Sequence, residues 1–188
     1  MTAITYTTAQ SATDLADILA LQAINLPGEI SREEALEQGF LSIRHEPALL
    51  SAMNEPHPHV IARGEGGELA GYTLVMECRF REEVPLLVPF FALLDKLPRA
   101  GKPLSEWRYF VMGQVCVAKA FRGQGVFAGL YQHLRRRMAP HYDLIVTEIS
   151  SRNTRSLKAH ANVGFETLHT YTAPDGEEWV VVALPCGE

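Results

Sequence analysis

The chain has 188 residues, a length that suits one folded domain and is short for two. Hydrophobic residues make up 47% and charged residues 21%, close to the values of folded globular proteins, which excludes wholesale disorder. The net charge of -5 argues against a dedicated nucleic-acid-binding protein, because such proteins carry a basic surface.

The first half of the chain begins with a strand, continues with helices and then changes to a strand pattern. Hydrophobic spacing and capping signals predict, in chain order, a strand over 4–8, helices over 11–26 and 31–43, and a hairpin of strands over 60–63 and 69–78. Residues 46–53 form one further short helical piece, which the element order given below does not count. The helix over 31–43 opens with a capping box formed by Ser31 and Glu34.

The second half alternates strands and helices and ends in a hairpin. The predicted elements are a strand over 107–117, a helix over 126–138, a strand over 144–149, a helix over 154–163, and strands over 166–172 and 179–184. The order β-α-α-β-β-β-α-β-α-β-β, without an internal repeat or a low-complexity linker, predicts a single mixed α/β domain over residues 1–188.

The least regular segment, residues 79–102, reads as an insertion. Pro89 suits the first turn of a helix, the apolar run 90–94 follows it, and Pro98 ends it. One interpretation is a helix that packs into the core. The other is a lid over an acceptor site or a homodimer surface, because long insertions often serve binding sites.

The cysteines, Cys78, Cys116 and Cys186, are far apart and form no C-x-x-C pair. This pattern is typical of reduced thiols and predicts a cytoplasmic protein. No signal-peptide pattern opens the chain, and the longest apolar stretch, 84–94, contains two prolines and is too short to cross a bilayer. This short stretch gives no reason to expect a membrane partner. The seven histidines are scattered, so we expect no metal site.

The most informative stretch is residues 114–131, where a strand leads through a turn containing Arg122, Gly123 and Gly125 into a helix. Backbone N–H groups from Gly123 to Phe127 point out of the helix N-terminus, where the helix dipole favours an anion. Glycine lets a phosphate approach the backbone closely, and Arg122 adds a charged donor. No Asp or Glu occupies the first turn, so the turn predicts a pyrophosphate site.

Two other interpretations of this turn stay open. In the first, the glycines only supply positive φ to an ordinary tight turn. In the second, residues 123–128 match the dinucleotide pattern G-x-G-x-x-G/A. That pattern directly follows its strand and needs several further βα units, whereas residues 119–122 intervene here and about sixty residues remain.

Residues 122–127, Arg-Gly-Gln-Gly-Val-Phe, resemble the Q/R-x-x-G-x-G/A acyl-CoA motif of the GNAT superfamily of N-acetyltransferases. Residues 153–165, which run from Asn153 through His160 to Gly164-Phe165, are similar to that family's N-x-x-A-x-x-x-Y-x-x-x-G-F segment. Two positions depart from the family pattern: Phe127 replaces a small residue, and His160 stands where the family carries a tyrosine.

The resemblance implies one GNAT-like domain whose mixed, mostly antiparallel sheet is flanked by helices. It also implies an acetyl-CoA-dependent N-acetyltransferase that needs no metal and acts on a primary amine of a small molecule or peptide. The residues it implies for acetyl-CoA are Val115, Cys116, Val117, Arg122, Gly123, Gln124, Gly125, Val126, Phe127 and Asn153. The backbone of 115–117 would pair with the pantetheine arm like an added strand. Cys116 itself is interpreted as a small buried hydrophobe, and the alternative is a covalent acetyl-cysteine role.

Acetylation of an amine requires a proton acceptor, because a lysine-like ammonium has a pKa near 10.4. Glu148, near the end of the strand over 144–149, is the best-placed carboxylate for this role. An exposed strand charge, or a carboxylate that orients a loop, is the alternative interpretation of Glu148.

His160 occupies the position from which the family's tyrosine protonates the departing thiolate, and imidazole can donate a proton near neutral pH. It also shares a helix face with Leu157 and Ala161, so a core histidine is the alternative. Asn153 is expected to cap the helix that contains His160. A GNAT-like domain that binds acyl-CoA without catalysis, as a sensor or scaffold, remains the alternative function.

Overall fold

The computed structural model describes residues 3–26, 41 and 43–187. Its helices are α1 (Ala12–Ala23), α2 (Pro47–Met53), α3 (Val88–Leu94), α4 (Val126–Met138) and α5 (Thr154–Asn162). Its strands are β1 (Thr5–Thr8), β2 (Val60–Arg63), β3 (Leu69–Met76), β4 (Pro98–Arg99), β5 (Lys102–Pro103), β6 (Tyr109–Val117), β7 (Leu144–Ser150), β8 (Glu166–Thr172) and β9 (Glu178–Pro185). The predicted mixed α/β class is confirmed.

Seven of these strands form one sheet in the order β1-β2-β3-β6-β7-β9-β8, and β4 with β5 forms a separate two-stranded hairpin. Among the pairs whose register is described, only β6 with β7 is parallel, so the sheet is mostly antiparallel as expected. The β6–β7 register covers Tyr109 to Val111. The stretch Val115–Val117 of β6 lies beyond that register.

The chain divides into two compact units. The first comprises Met1–Val75 and Gly113–Leu134, and the second comprises Met76–Met112 and Arg135–Glu188. Strand β6 and helix α4 therefore contribute residues to both units. The expectation of a single domain over 1–188 stays a prediction.

In the first unit, α1 packs on the sheet through an apolar core. A capping box of Ser11 and Asp14 starts the helix, and the core cluster comprises Ala9, Ile18, Leu21, Leu41, Leu50, Ile61, Tyr72, Leu74 and Cys116. Gly71 of β3 permits a close approach to β6, because a Cβ at this position would lie 2.7 Å from the carbonyl oxygen of Cys116.

In the second unit, β7 and β9 form the buried centre. Residues 144–147 of β7 and 181–184 of β9 are buried, and β9 pairs antiparallel with both β7 and β8. A continuous β-branched and aliphatic run is what a strand buried on both faces requires. Arg135, which belongs to this unit, donates a hydrogen bond of 2.9 Å to the carbonyl oxygen of Pro185 at the end of β9.

Most predicted elements are present within one to three residues of the expected bounds. The helix expected over 31–43 falls almost entirely outside the described residues. The hairpin β4–β5 was not predicted, because two-residue strands with prolines carry no alternation. Within 79–102, Phe90, Phe91 and Leu94 of α3 are buried, which agrees with a core-packing helix. The lid or homodimer surface stays a prediction.

Candidate functional site

The glycine turn after β6 adopts the conformation that the sequence indicates. A single 3₁₀ turn over Lys119–Phe121 leads into it, and Gly123 and Gly125 have φ of 76° and 81°. A Cβ at either glycine would meet no atom within 4 Å, so glycine is needed for the backbone conformation and not for lack of space. Because glycine has no side chain, no Cβ covers the backbone of the turn at these two positions.

Helix α4 starts directly after this turn and leaves its N-terminal dipole uncompensated by acidic side chains. It has 13 residues, and its first turn contains no Asp or Glu. The first N–H groups of any α-helix lack an intrahelical acceptor, so they point out of the helix as donors. The Phe127 ring lies 5.0 Å from the Tyr131 ring, so its bulk packs along the helix. The arrangement suits an anionic group such as a phosphate.

Two side chains of the turn hold its backbone. Arg122 donates from Nε to the carbonyl oxygen of Val117 (3.1 Å) and from a terminal nitrogen to Oδ1 of Asn25 (3.0 Å). The Gln124 amide donates to the carbonyl oxygen of Ala120 at 2.8 Å. Both side chains thus position the N–H groups of the turn through bonds to the protein itself.

Before the turn, Val115 and Val117 are partly buried and Cys116 is buried in the apolar core of the first unit. Burial raises the pKa of the Cys116 thiol to about 12, so the thiol stays protonated at neutral pH. A protonated thiol in a core is a weak nucleophile, which agrees with its interpretation as a small buried hydrophobe.

In the second unit, Glu148 of β7 accepts a hydrogen bond of 2.5 Å from the hydroxyl of Tyr171 on β8. Burial raises the pKa of Glu148 from 4.5 to about 7, and the bond from Tyr171 opposes part of that rise. Burial and the adjacent Glu148 both raise the pKa of Tyr171, so its hydroxyl stays a donor. A carboxylate with a pKa near neutrality can take a proton and release it again at pH 7.

Sequence reasoning missed Tyr171 because it is 23 residues from Glu148 and on another strand. The register supplies the contact: Glu148 pairs with Val181, which pairs with His169, and Tyr171 lies two residues further along β8 on the same face. The alternation of the sequence over 166–172 places Tyr171 on one face, but only the strand order brings that face to β7.

His160 lies in α5 and is buried, with 2% of its surface exposed. Its Nδ1 donates to the carbonyl oxygen of Ser156 at 2.8 Å, and its ring contacts Phe165 edge-on at 4.9 Å. Burial lowers the pKa of His160 to about 4, while the bond to Ser156 partly opposes this. The ring is therefore neutral at pH 7.

Asn153 caps α5 as predicted, since its Oδ1 accepts from the backbone N–H of Ser156 at 3.1 Å. Of the predicted site residues, the structure places Asn153, Glu148 and His160 in the second unit. It places 115–117 and 122–127 in the first.

The residues that the structure describes contain no cluster of His, Cys, Asp or Glu that could hold a metal ion. Over the same part of the chain, no helix is long and apolar enough to cross a membrane.

The chain is similar to a known protein family and to several solved structures. Residues 25–165 match the model of the acetyltransferase (GNAT) family. No curated protein matches the chain at a significant level. Among solved structures, the chain is similar to the ribosomal-protein-S18-alanine N-acetyltransferase from Escherichia coli. The identity is 13%, the coverage is 99% of this chain and 96% of that one, and the TM-score is 0.61.

It is also similar to a GNAT superfamily phosphinothricin acetyltransferase from Sinorhizobium meliloti, solved in complex with acetyl-CoA. The identity is 17%, the coverage 97% and 88%, and the TM-score 0.63. A chain of the NatC complex bound to Gag peptide and CoA has 16% identity, coverage of 97% and 98%, and a TM-score of 0.65. At these identities the likeness shows the fold.

Proposed function

Because the chain belongs to the acetyltransferase (GNAT) family, we propose that it transfers the acetyl group of acetyl-CoA to a primary amine of a small molecule or peptide. The amine attacks the thioester directly while both substrates are bound. The observation that carries this proposal is the turn at Gly123 and Gly125, where two glycines with positive φ open a helix without acidic residues. Relatives solved with acetyl-CoA or CoA support the choice of cosubstrate.

The backbone N–H groups of residues 123–127 would hold the pyrophosphate, with Arg122 and Gln124 fixing the turn. The backbone of Val115 to Val117 would pair with the pantetheine arm, since these residues lie beyond the described β6–β7 register. Asn153 is carried over from the family as a further contact of the cosubstrate. Acetyl-CoA supplies the activated acetyl group, and no metal is needed for this chemistry.

Glu148 is the proposed general base. Attack requires a neutral amine, and Glu148 with a pKa of about 7 can accept the ammonium proton, directly or through a water molecule. Tyr171 fixes one carboxylate oxygen and leaves the other to accept the proton. Tyr171 is therefore a positioning residue for Glu148.

His160 is the second proposed catalytic residue, as donor of a proton to the sulfur of departing CoA. At neutral pH the ring is uncharged and its one proton is on Nδ1, bonded to Ser156, so Nε2 carries no proton and can take one up. In the proposed step Nε2 takes the proton that the attached amine nitrogen loses as the intermediate collapses, and the resulting imidazolium passes it to the sulfur of departing CoA. Its bond to Ser156 fixes the orientation of the ring.

We expect Tyr171→Phe to move the acidic limb of the kcat/KM profile to higher pH by about one unit. Loss of a donor to the carboxylate raises the pKa of Glu148 further, so a higher pH is needed to deprotonate the base. Initial rates between pH 5 and 9 measure the shift. An acidic limb at the wild-type pH would remove Tyr171 from this role, whatever the change in kcat.

We expect His160→Phe to lower kcat well over tenfold while acetyl-CoA still binds, because Phe fills the site but cannot donate a proton. Calorimetry with CoA and initial rates with saturating amine separate the two effects. Turnover equal to wild type would assign His160 to the core of the second unit.

Incubation with acetyl-CoA, a thiol reagent and a broad panel of primary amines tests the function. Amine-dependent release of CoA thiol is the expected result. Binding of CoA without thiol release on any amine would favour the alternative, an acyl-CoA sensor or scaffold. Failure to detect CoA binding by calorimetry or thermal shift would contradict both acetyl transfer and the sensor or scaffold function.

A further inference from the structure

A buried polar cluster links α1 to β6 inside the first unit. It consists of Gln22, His45, Tyr72 and Gln114, whose exposed fractions are 1%, 2%, 0% and 6%. The side chain of Gln22 bridges the others: its Nε2 lies 2.7 Å from Oε1 of Gln114 and 2.9 Å from Nδ1 of His45. The sequence did not predict this cluster, because Gln22 and Gln114 are 92 residues apart.

Two backbone groups fix which atoms donate in the cluster. The carbonyl oxygen of Ile43 lies 2.8 Å from one end of the Gln114 amide, so that end is the NH₂ group. Oε1 of Gln114 then accepts from the hydroxyl of Tyr72 (2.6 Å) and from Gln22. Independently, the backbone N–H of His45 donates to Oε1 of Gln22 at 2.8 Å. The orientation of both amides therefore follows from the main chain.

This orientation also fixes the proton on the His45 ring. The NH₂ group of Gln22 faces Nδ1, so Nδ1 is an acceptor and the ring proton is on Nε2. Burial lowers the pKa of His45 to about 4, which keeps the ring neutral at pH 7. His45 thus presents a neutral Nε2–H donor of defined direction.

Within the described residues, Nε2 of His45 is buried and has no hydrogen-bond partner. An unpaired buried donor is costly, so native structures seldom contain one without a reason. His59 of the same unit shows the ordinary arrangement: Nδ1 accepts from the N–H of Val75 at 3.1 Å, and Nε2 donates to the carbonyl oxygen of Leu50 at 3.2 Å. The cluster thus orients His45, but no described group accepts from its buried Nε2–H.

The cluster adjoins the strand proposed to bind the pantetheine arm. The glycine turn, which is proposed to hold the pyrophosphate, follows Val117. The opposite, thioester end of an arm along 115–117 would therefore lie toward Gln114. Successive side chains of a strand leave its two faces, whereas backbone groups point along its edges. The pantetheine arm would run along the edge of the strand. His45 is linked through Gln22 to the Gln114 side chain, so it would donate to a different group, one that lies over the face of the strand.

We propose that Nε2–H of His45 donates a hydrogen bond to an oxygen of the acyl acceptor. The acceptor is then an amine that carries a carbonyl or carboxylate oxygen close to its amino group, as in an α-amino amide, amino acid or peptide N-terminus. This inference rests on the proposed function and specifies its substrate class.

Matched amine pairs that differ by a carboxamide group test the inference, and kcat/KM is expressed per neutral amine because the carboxamide lowers the pKa of the amine. The probes are phenethylamine with phenylalaninamide, methylamine with glycinamide, and isoamylamine with leucinamide. We expect wild type to prefer the amides at least tenfold in kcat/KM. His45→Asn, which keeps an amide near Nδ1 and loses Nε2, should reduce this preference at least tenfold, while His45→Gln, which restores a donor near Nε2, recovers part of it.

His59→Asn is the matched control, because it removes a buried neutral histidine whose two ring nitrogens are paired. It should lower the melting temperature without changing the preference for amides. Ring-nitrogen NMR of histidine-labelled wild type needs no substrate and should show His45 in the Nε2–H form at pH 7. The Nδ1–H form or a charged ring would overturn the inference.

The kinetic outcomes separate this inference from the proposed function. Equal acetylation of amines and amides by wild type, or an equal loss of both in His45→Asn, would overturn the inference and leave amine acetylation in place. The second result would assign the donor to the thioester. Acetylation of none of the six probes would overturn the inference, whereas only failure of the broad amine panel would contradict the proposed function.

Discussion

Glu148→Gln is expected to lower kcat/KM for amine acetylation by about 10²- to 10³-fold, the usual contribution of a positioned general base. Glutamine keeps the shape of the side chain and can still accept from Tyr171, but an amide cannot take a proton. Initial rates with saturating acetyl-CoA measure the loss. Because the pKa of Glu148 is about 7, wild-type kcat/KM should fall as the pH drops below 7, and the variant should lack this limb.

Glu178→Gln is the matched control, since Glu178 is an exposed carboxylate on the neighbouring strand β9. It should leave both the rate and the pH profile as in wild type. A Glu148→Gln enzyme that retains more than a third of wild-type activity would exclude Glu148 as the base.

The stability of the same variant shows whether a lost rate reflects chemistry or misfolding. Folded Glu148 has a pKa of about 7 against an ordinary 4.5, so between these values the folded state retains a proton that the unfolded state has lost. Above pH 7 the folded state carries a buried charge. Glu148→Gln should therefore be more stable than wild type at pH 8, by roughly 1–3 kcal/mol, and show little difference at pH 4. Denaturant unfolding at the two pH values measures this.

Gly125→Ala is expected to weaken CoA binding by about 10- to 100-fold. At a φ of 81° a Cβ costs about 1–2 kcal/mol of backbone strain. Relief of that strain would rotate the N–H groups that are proposed to face the pyrophosphate. Several charge-assisted hydrogen bonds would then weaken together. Calorimetric titration with CoA measures the change in affinity.

Gly176→Ala is a close control, because Gly176 has a φ of 85°, lies between β8 and β9, and likewise has no atom within 4 Å of a built Cβ. It should destabilise the fold to a similar extent and leave the affinity for CoA unchanged. Equal effects of the two substitutions on CoA binding would show that backbone strain alone explains the loss, and the turn would revert to an ordinary tight turn.

Sequence predicted best the features that depend on neighbours along the chain. Gly123 and Gly125, the bounds of α4 and the Asn153 cap all follow from local backbone chemistry, and the structure has each as expected. The short hairpin β4–β5 escaped because its two-residue strands contain prolines and no periodicity.

Contacts between distant segments could not be predicted from the sequence, because they depend on how the strands and helices are arranged in space. The bond from Tyr171 to Glu148 depends on the strand order β7-β9-β8 and on the register within it. The bridge from Gln22 to Gln114 likewise requires α1 to lie on the sheet. The sequence predicted His160 as a candidate site residue but did not predict its protonation state, because the ring is neutral as a result of burial.

Transfer of an isotopically labelled acetyl group from acetyl-CoA to a primary amine tests the proposed function most directly. We predict that the amine product contains one labelled acetyl group for each CoA thiol released, and that Glu148→Gln lowers both yields together. Wild-type protein that binds CoA but labels no amine, from small molecules to peptide N-termini, would contradict the proposal.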